Sequence, residues 1–132
     1  MFEIEFVRKT AAKLPTREEN QTCINLFAYI RDANNQPGSL TIFPQQSVSV
    51  DTGVYVKIAN NYVGLLIDTD EYVSREVILK NPTSIVESSN RDYISVTLKN
   101  THSAPFTVFN GDCICHLLIL QTSLPLIKES NQ

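Results

Sequence analysis

From Val48 onward, apolar side chains occupy every second position: Val48, Val50, Val54, Val56 and Ile58, with Thr52 filling the one gap. Ser47, Ser49, Asp51, Gly53, Tyr55 and Lys57 lie between them. Successive strand side chains point to opposite faces, so this period of two predicts an extended strand with one buried face. Asn60-Asn61 follows, and asparagine tolerates the left-handed backbone that tight turns need. Tyr62 to Ile67 reads as the return strand.

The same logic extends along the chain. Glu3 to Val7 alternates and predicts a short first strand. Arg8 to Asn20 is polar with Pro15, hence a loop, and Thr22 to Ile30 is rich in apolar and β-branched residues, hence a strand. Asn34 to Gly38 concentrates turn residues, and Pro44 confines the end of the Leu40–Phe43 strand to an edge or bend. After Ile67 comes an acidic stretch read as a loop. Glu71 to Leu79 is the best candidate for a single helical turn, with Val77 to Leu79 apolar again. A turn at Lys80-Asn81-Pro82, a short strand from Thr83 to Val86 and a loop from Glu87 to Asp92 follow. Tyr93 to Lys99 alternates cleanly, Asn100 to Ala104 turns, and Phe106, Val108 and Phe109 are assigned to the core. Asn110-Gly111-Asp112 is a further turn. Cys113 to Leu120 is almost continuously apolar, which predicts a strand covered on both faces. Leu124 to Ile127 reads as a last short strand before the polar tail 128–132. Many short strands separated by turns predict an all-β sandwich or barrel, a single domain over residues 1–132.

Composition excludes several classes. Eleven Lys and Arg against 14 Asp and Glu leave a formal charge of −3 with no basic cluster, so nucleic-acid binding lacks its usual footprint. No apolar run is long enough for a transmembrane helix, and the first residues lack the order of a signal peptide, so an intracellular location is expected. Three cysteines, Cys23, Cys113 and Cys115, cannot be exhausted by intrachain disulfides. Only one residue separates Cys113 from Cys115, and no second ligand pair accompanies His116. These thiols are read as small hydrophobes rather than metal ligands. Four glycines in the whole chain provide no phosphate-cradling loop, and no nucleophile-elbow motif is present.

The runs TGVYVKI at 52–58 and NNYVGLLI at 60–67, with Asn110-Gly111-Asp112 and Ile114 later, resemble the trimeric dUTPase family. The resemblance spans Phe6 to Ile127 and is nearest to the family's adenoviral offshoot, the protein of the first open reading frame of early region four. It implies a distorted jelly-roll or β-barrel fold, a homotrimer, and sites built between subunits from five motifs. The first motif matches TCINLFA, with Asn25 where a metal-assisting acid is expected. The second, an Arg-Ser-Gly phosphate cluster, falls on Thr69, Asp70 and Glu71, so a cation and a permissive glycine become polar or acidic. The third, supplying a water-activating carboxylate and a base-stacking tyrosine, falls on Glu87 and Asn90. The fourth keeps Gly111, Asp112 and Ile114 but places Cys113 and His116 where arginine and glutamine are expected. The fifth, a glycine-rich C-terminal clamp, has no counterpart.

Thr52, Gly53, Tyr62, Gly64, Asn100, Gly111 and Asp112, the turn and strand positions, survive. The expectation is therefore a scaffold without the enzyme: a viral protein of the host-cell cytoplasm or nucleus, without cofactor, acting on host proteins. The adenoviral resemblance implies phosphoinositide 3-kinase and PDZ-domain partners. Ser130-Asn131-Gln132 ends in an amide rather than the apolar side chain a PDZ pocket takes, which argues against the latter. The alternative is a diverged dUTP pyrophosphatase or nucleotide-binding module using Glu87 and Asp112. In either case Leu124, Leu126 and Ile127 would dock on a neighbouring subunit.

Overall fold

The structure, a computed structural model, describes residues 3–81 and 84–131. The sequence readings that fall on Met1, Phe2, Pro82, Thr83 and Gln132 lie outside those residues. Eleven strands and one short helix are described: β1 (Glu5–Arg8), β2 (Ile24–Phe27), β3 (Ser39–Ile42), β4 (Ser47–Asp51), β5 (Val54–Lys57), β6 (Tyr62–Ile67), α1 (Asp70–Ser74), β7 (Val77–Leu79), β8 (Ile85–Val86), β9 (Ser95–Asn100), β10 (Phe106–Phe109) and β11 (Cys113–Gln121). All pairings are antiparallel. The sheets are β2-β11-β6-β8, β4-β9-β7, β1-β5 and β10-β3. The all-β architecture expected from the alternation is observed.

The stretch from Val48 to Ile58 is not one strand. β4 pairs with β9, and β5 pairs with β1 in a different sheet. The chain changes sheet at Thr52-Gly53, where Gly53 has φ +70°. Val50, Thr52, Val54, Val56 and Ile58 nonetheless all face the interior. The inward phase survives the switch, so alternation alone cannot reveal it. Lys9 N–H donates to Gly53 O at 2.8 Å and Gly53 N–H donates to Asp51 Oδ1 at 2.8 Å. The Asp51 carboxylate also pairs with the Lys9 ammonium. That pair ties the corner to the end of β1.

Thr52 is buried because its hydroxyl has a partner, donating to Ile94 O at 2.7 Å. Thr52→Val keeps the shape and removes that bond, so it is expected to lower unfolding free energy by about 1 kcal/mol in urea titration. A loss below a few tenths would show the hydroxyl to be dispensable.

Leu26, Ile42, Val96, Leu98, Val108, Ile114 and Leu117 form the centre of the core. Gly64 lies where β6 crosses tightly packed neighbours: a Cβ there would sit 2.9 Å from Leu117 Cδ1 and 3.2 Å from Val86 Cβ.

Three readings are corrected. Phe109 is 57% exposed rather than core, because Val108 takes the inward phase of β10. β11 is buried on both faces only near Ile114 and Cys115, and Leu120 is 41% exposed. Leu124 to Ile127 forms no strand. Leu124, Leu126 and Ile127 are 76%, 96% and 93% exposed, in a segment without strand pairing.

Candidate functional site

A cleft of about 480 Å³ opens where the ends of β2, β6 and β11 meet α1 and the segment before β2. Its walls include Asn25 and Phe27 from β2, Thr69, Asp70 and Glu71 from the start of α1, and Cys113 and His116 from β11. Lys13, Thr16 and Glu18 close the remaining side. Five of the seven motif positions are thus brought together from three distant segments. β11 makes this possible: His116 lies opposite Asn25 on one flank and Ile67 on the other. An irregularity between Cys113 and Cys115 turns the Cys113 side chain toward Asn25, with Sγ 3.8 Å from Asn25 Oδ1.

Thr69 is buried and caps α1, its hydroxyl accepting from Tyr72 N–H at 3.2 Å. Asp70 and Glu71 therefore occupy the first helical turn, where carboxylates are favoured by the unpaired N–H groups. The acidic stretch read as a loop is this capped helical turn. Tyr72 turns inward and donates its hydroxyl to Asp112 Oδ2 at 3.3 Å. Burial, reinforced by the Asp112 charge, drives the Tyr72 hydroxyl pKa well above its usual value, so it remains a donor. Asp112 Oδ2 also accepts from Phe109 N–H at 2.9 Å. Gly111 N–H donates to Ala28 O, Ala28 N–H donates to Asp112 O, and Asn110 Oδ1 accepts from Ile30 N–H. The Asn-Gly-Asp turn is a clamp between β10, β11 and the end of β2, and Asp112 is occupied by structural bonds.

The cysteines are free thiols. Cys115 is fully buried, as expected of a small hydrophobe, whereas Cys23 and Cys113 are half-buried. Burial pushes the Cys113 thiol pKa up, partly countered by a backbone hydrogen bond from its surroundings. Cys113 is accordingly held as a neutral thiol at the cleft wall.

Glu87 and Asn90 do not line this cleft. They sit beyond β8 in a turn where Asn90 N–H donates to Glu87 O and Asn90 Oδ1 accepts from Asp92 N–H. Glu87 is exposed, and the Asn90 side chain is spent on its own turn. Ser130 and Asn131 lie in the exposed tail and touch no part of the cleft. Lys13 was not singled out from sequence. Its only signal was its position just before Leu14-Pro15-Thr16, in a segment read as plain loop.

Among the described residues no group of three or more His, Cys, Asp or Glu side chains is arranged to hold a metal ion. Thr69, Asp70 and Glu71 do not converge as cation ligands, because Thr69 is committed to its cap. The described residues of the site therefore do not fit a resident metal held by protein side chains alone.

The geometry defines an antiparallel β-protein with a mixed-charge cleft at its strand ends, next to a pinned Asn-Gly-Asp turn. A sequence-family model described as dUTPase matches residues 35–132, and the chain belongs to the dUTPase family. It is 30% identical over 79 residues to the deoxyuridine 5'-triphosphate nucleotidohydrolase of Escherichia phage T5, covering 60% of this chain and 53% of that protein. It is 27% identical over 99 residues to the same enzyme of Actinobacillus pleuropneumoniae serotype 3, covering 71% and 66%. The matches thus span about half to two thirds of the relatives' length. Among solved structures, a Staphylococcus bacteriophage 80alpha dUTPase with dUpNHpp superposes with TM-score 0.83, covering 100% of this chain and 90% of that one. The dUTPase of phage phi11 of S. aureus gives TM-score 0.84, covering 99% and 97%. Both are 16% identical, which establishes the fold alone.

These comparisons correct the reading of the chain as a non-enzyme. A dUTPase family model and relatives named as deoxyuridine 5'-triphosphate nucleotidohydrolases point to an enzyme family, not to a chain that has lost activity.

Proposed function

We propose that this chain is a diverged nucleoside-triphosphate pyrophosphatase of the dUTPase type, with its site completed between copies in a homotrimer. The observation that carries this reading is the division of the motif positions. Asn25, Thr69, Asp70, Cys113 and His116 share one cleft, while Glu87 and Asn90 sit apart on the same chain. A neighbouring copy that docks its β8 turn against the cleft supplies Glu87 as the carboxylate that activates water. The exposed strip of Leu124, Leu126 and Ile127 is the surface by which copies associate, because three such side chains in water are costly.

Incubation with dUTP and Mg²⁺ is expected to release pyrophosphate, and light scattering at micromolar concentration is expected to return a trimer. A complementation experiment tests the division itself. Glu87→Gln and His116→Ala are each expected to lower turnover at least about tenfold. Dissociated and reassembled together, they should regain about one quarter of wild-type sites, the fraction pairing an intact cleft with an intact Glu87. No recovery on mixing, with both variants still trimeric, would sink the shared-site reading.

Binding of host-cell proteins stands second. It draws on the adenoviral resemblance, whereas the relatives named above are phage and bacterial enzymes. Deleting residues 128–132 and repeating an affinity capture from cell extract tests it.

A further inference from the structure

We propose that Lys13 is the phosphate-binding cation of this chain, replacing the motif-two cation lost at Thr69; the inference rests on the nucleotide reading above. Thr69 cannot serve, since it is buried and its hydroxyl is engaged in the cap. Lys13 is the one Lys or Arg lining the cleft among the described residues.

The backbone fixes where Lys13 starts. Ala12 is buried beneath the Gly53 corner, its N–H donates to Lys9 O at 3.0 Å, and the preceding Ala11 has φ +68°. On the other side, Thr16 and Asn25 exchange backbone hydrogen bonds at 3.3 and 2.7 Å. The segment 13–16 is thereby lashed alongside β2, and Lys13 extends over the Phe27 ring with Nζ 3.9 Å from its centroid.

The state of the ammonium suits a ligand. Glu18, Asp70 and Glu71 line the same cleft, yet the ion pairs among the described residues are Lys9 with Asp51, Lys57 with Glu5, and His102 with Glu76. Lys13 joins none of them. An aromatic face holds a cation without consuming its N–H donors, and a compact ammonium with three such donors suits a phosphate oxygen. Its charge also reaches the opposite wall, where it acts on the Cys113 thiol, although desolvation dominates there. A phosphate seated between Lys13 and Cys113 would meet positive potential on one side and the carboxylates on the other. Removing Lys13 leaves the repulsion alone.

Full-length Lys13→Ala and Lys13→Arg are compared with wild type for dUTP turnover and for inhibition by tripolyphosphate. Lys13→Ala is expected to raise KM and the tripolyphosphate inhibition constant at least about tenfold, with kcat changed by less than about threefold. Lys13→Arg is expected to recover most of both. Equal melting temperatures would exclude a merely structural effect, since Lys13 is exposed. Unchanged KM and inhibition constant in Lys13→Ala overturn the inference and leave the function standing. If wild type turns over no dUTP, the function fails instead, and calorimetric titration with tripolyphosphate decides Lys13 by itself. Binding that is lost in Lys13→Ala supports the inference; binding absent from wild type, or retained in Lys13→Ala, overturns it.

Discussion

Gly53→Ala is expected to cost about 3–5 kcal/mol of folding stability, enough to remove most of what a domain of this size holds. Two effects add. At φ +70° an L side chain is strained whatever the space around it. There is also no space: a Cβ would lie 2.8 Å from Ala12 Cβ and 2.9 Å from Tyr29 Cγ. Neither neighbour is the free end of a flexible chain. Ala12 is buried, and the Tyr29 ring carries Lys9 Nζ at 5.5 Å and the Arg31 guanidinium at 5.1 Å from its centroid. Gly111→Ala is the control. Its φ is +89°, but nothing lies within 4 Å of the new Cβ, so only the strain of about 1–2 kcal/mol is expected. Denaturant unfolding of both variants measures the difference. Equal losses would show that crowding at the sheet switch contributes nothing.

Asn100→Ala is the second large effect, expected at about 3–4 kcal/mol. Asn100 is fully buried at the end of β9. Its Nδ2 donates to Ile42 O at 2.9 Å and to Ala104 O at 2.8 Å, and its Oδ1 accepts from His102 N–H at 2.9 Å. One amide thus holds β3, β9 and the 101–105 turn, and truncation strands three backbone groups as well as leaving a cavity. Asn100→Asp separates the two contributions. It keeps the volume and the bond from His102 but turns donors into acceptors facing Ile42 O and Ala104 O. A loss comparable to that of alanine would assign the effect to hydrogen bonds, and near-wild-type stability would contradict the network's importance.

Much of the fold was legible because burial on a sheet imposes a period of two. Tyr93 to Lys99 was readable for that reason, the turns at Asn60-Asn61 and Asn110-Gly111-Asp112 from their residue types, and Tyr62 to Ile67 as the strand returning from the first of those turns. Alternation reports only the phase of burial. It stayed silent at Thr52-Gly53, where the chain changes sheet without changing phase. It also failed past Gln121, where apolar residues without a partner in their own chain take no strand pairing.

The site was readable position by position but not as a whole. Motif spacing put Asn25, Thr69, Asp70, Cys113 and His116 on a common footing, and the structure brings them into one cleft. Side-chain identities at those positions suggested a cleft without a cation, because Lys13 belongs to no motif and reaches the site through space.

The amino-acid order alone determined the all-β class, the burial phase of the alternating strands, most of the turns and the family, since each depends on neighbours along the chain and on solvent. Which sheets the strands join, that Glu87 stands apart from the cleft and that a lysine over Phe27 faces it were decided only in three dimensions. Those outcomes depend on contacts between residues far apart in sequence, and no local pattern encodes which of many distant partners will meet.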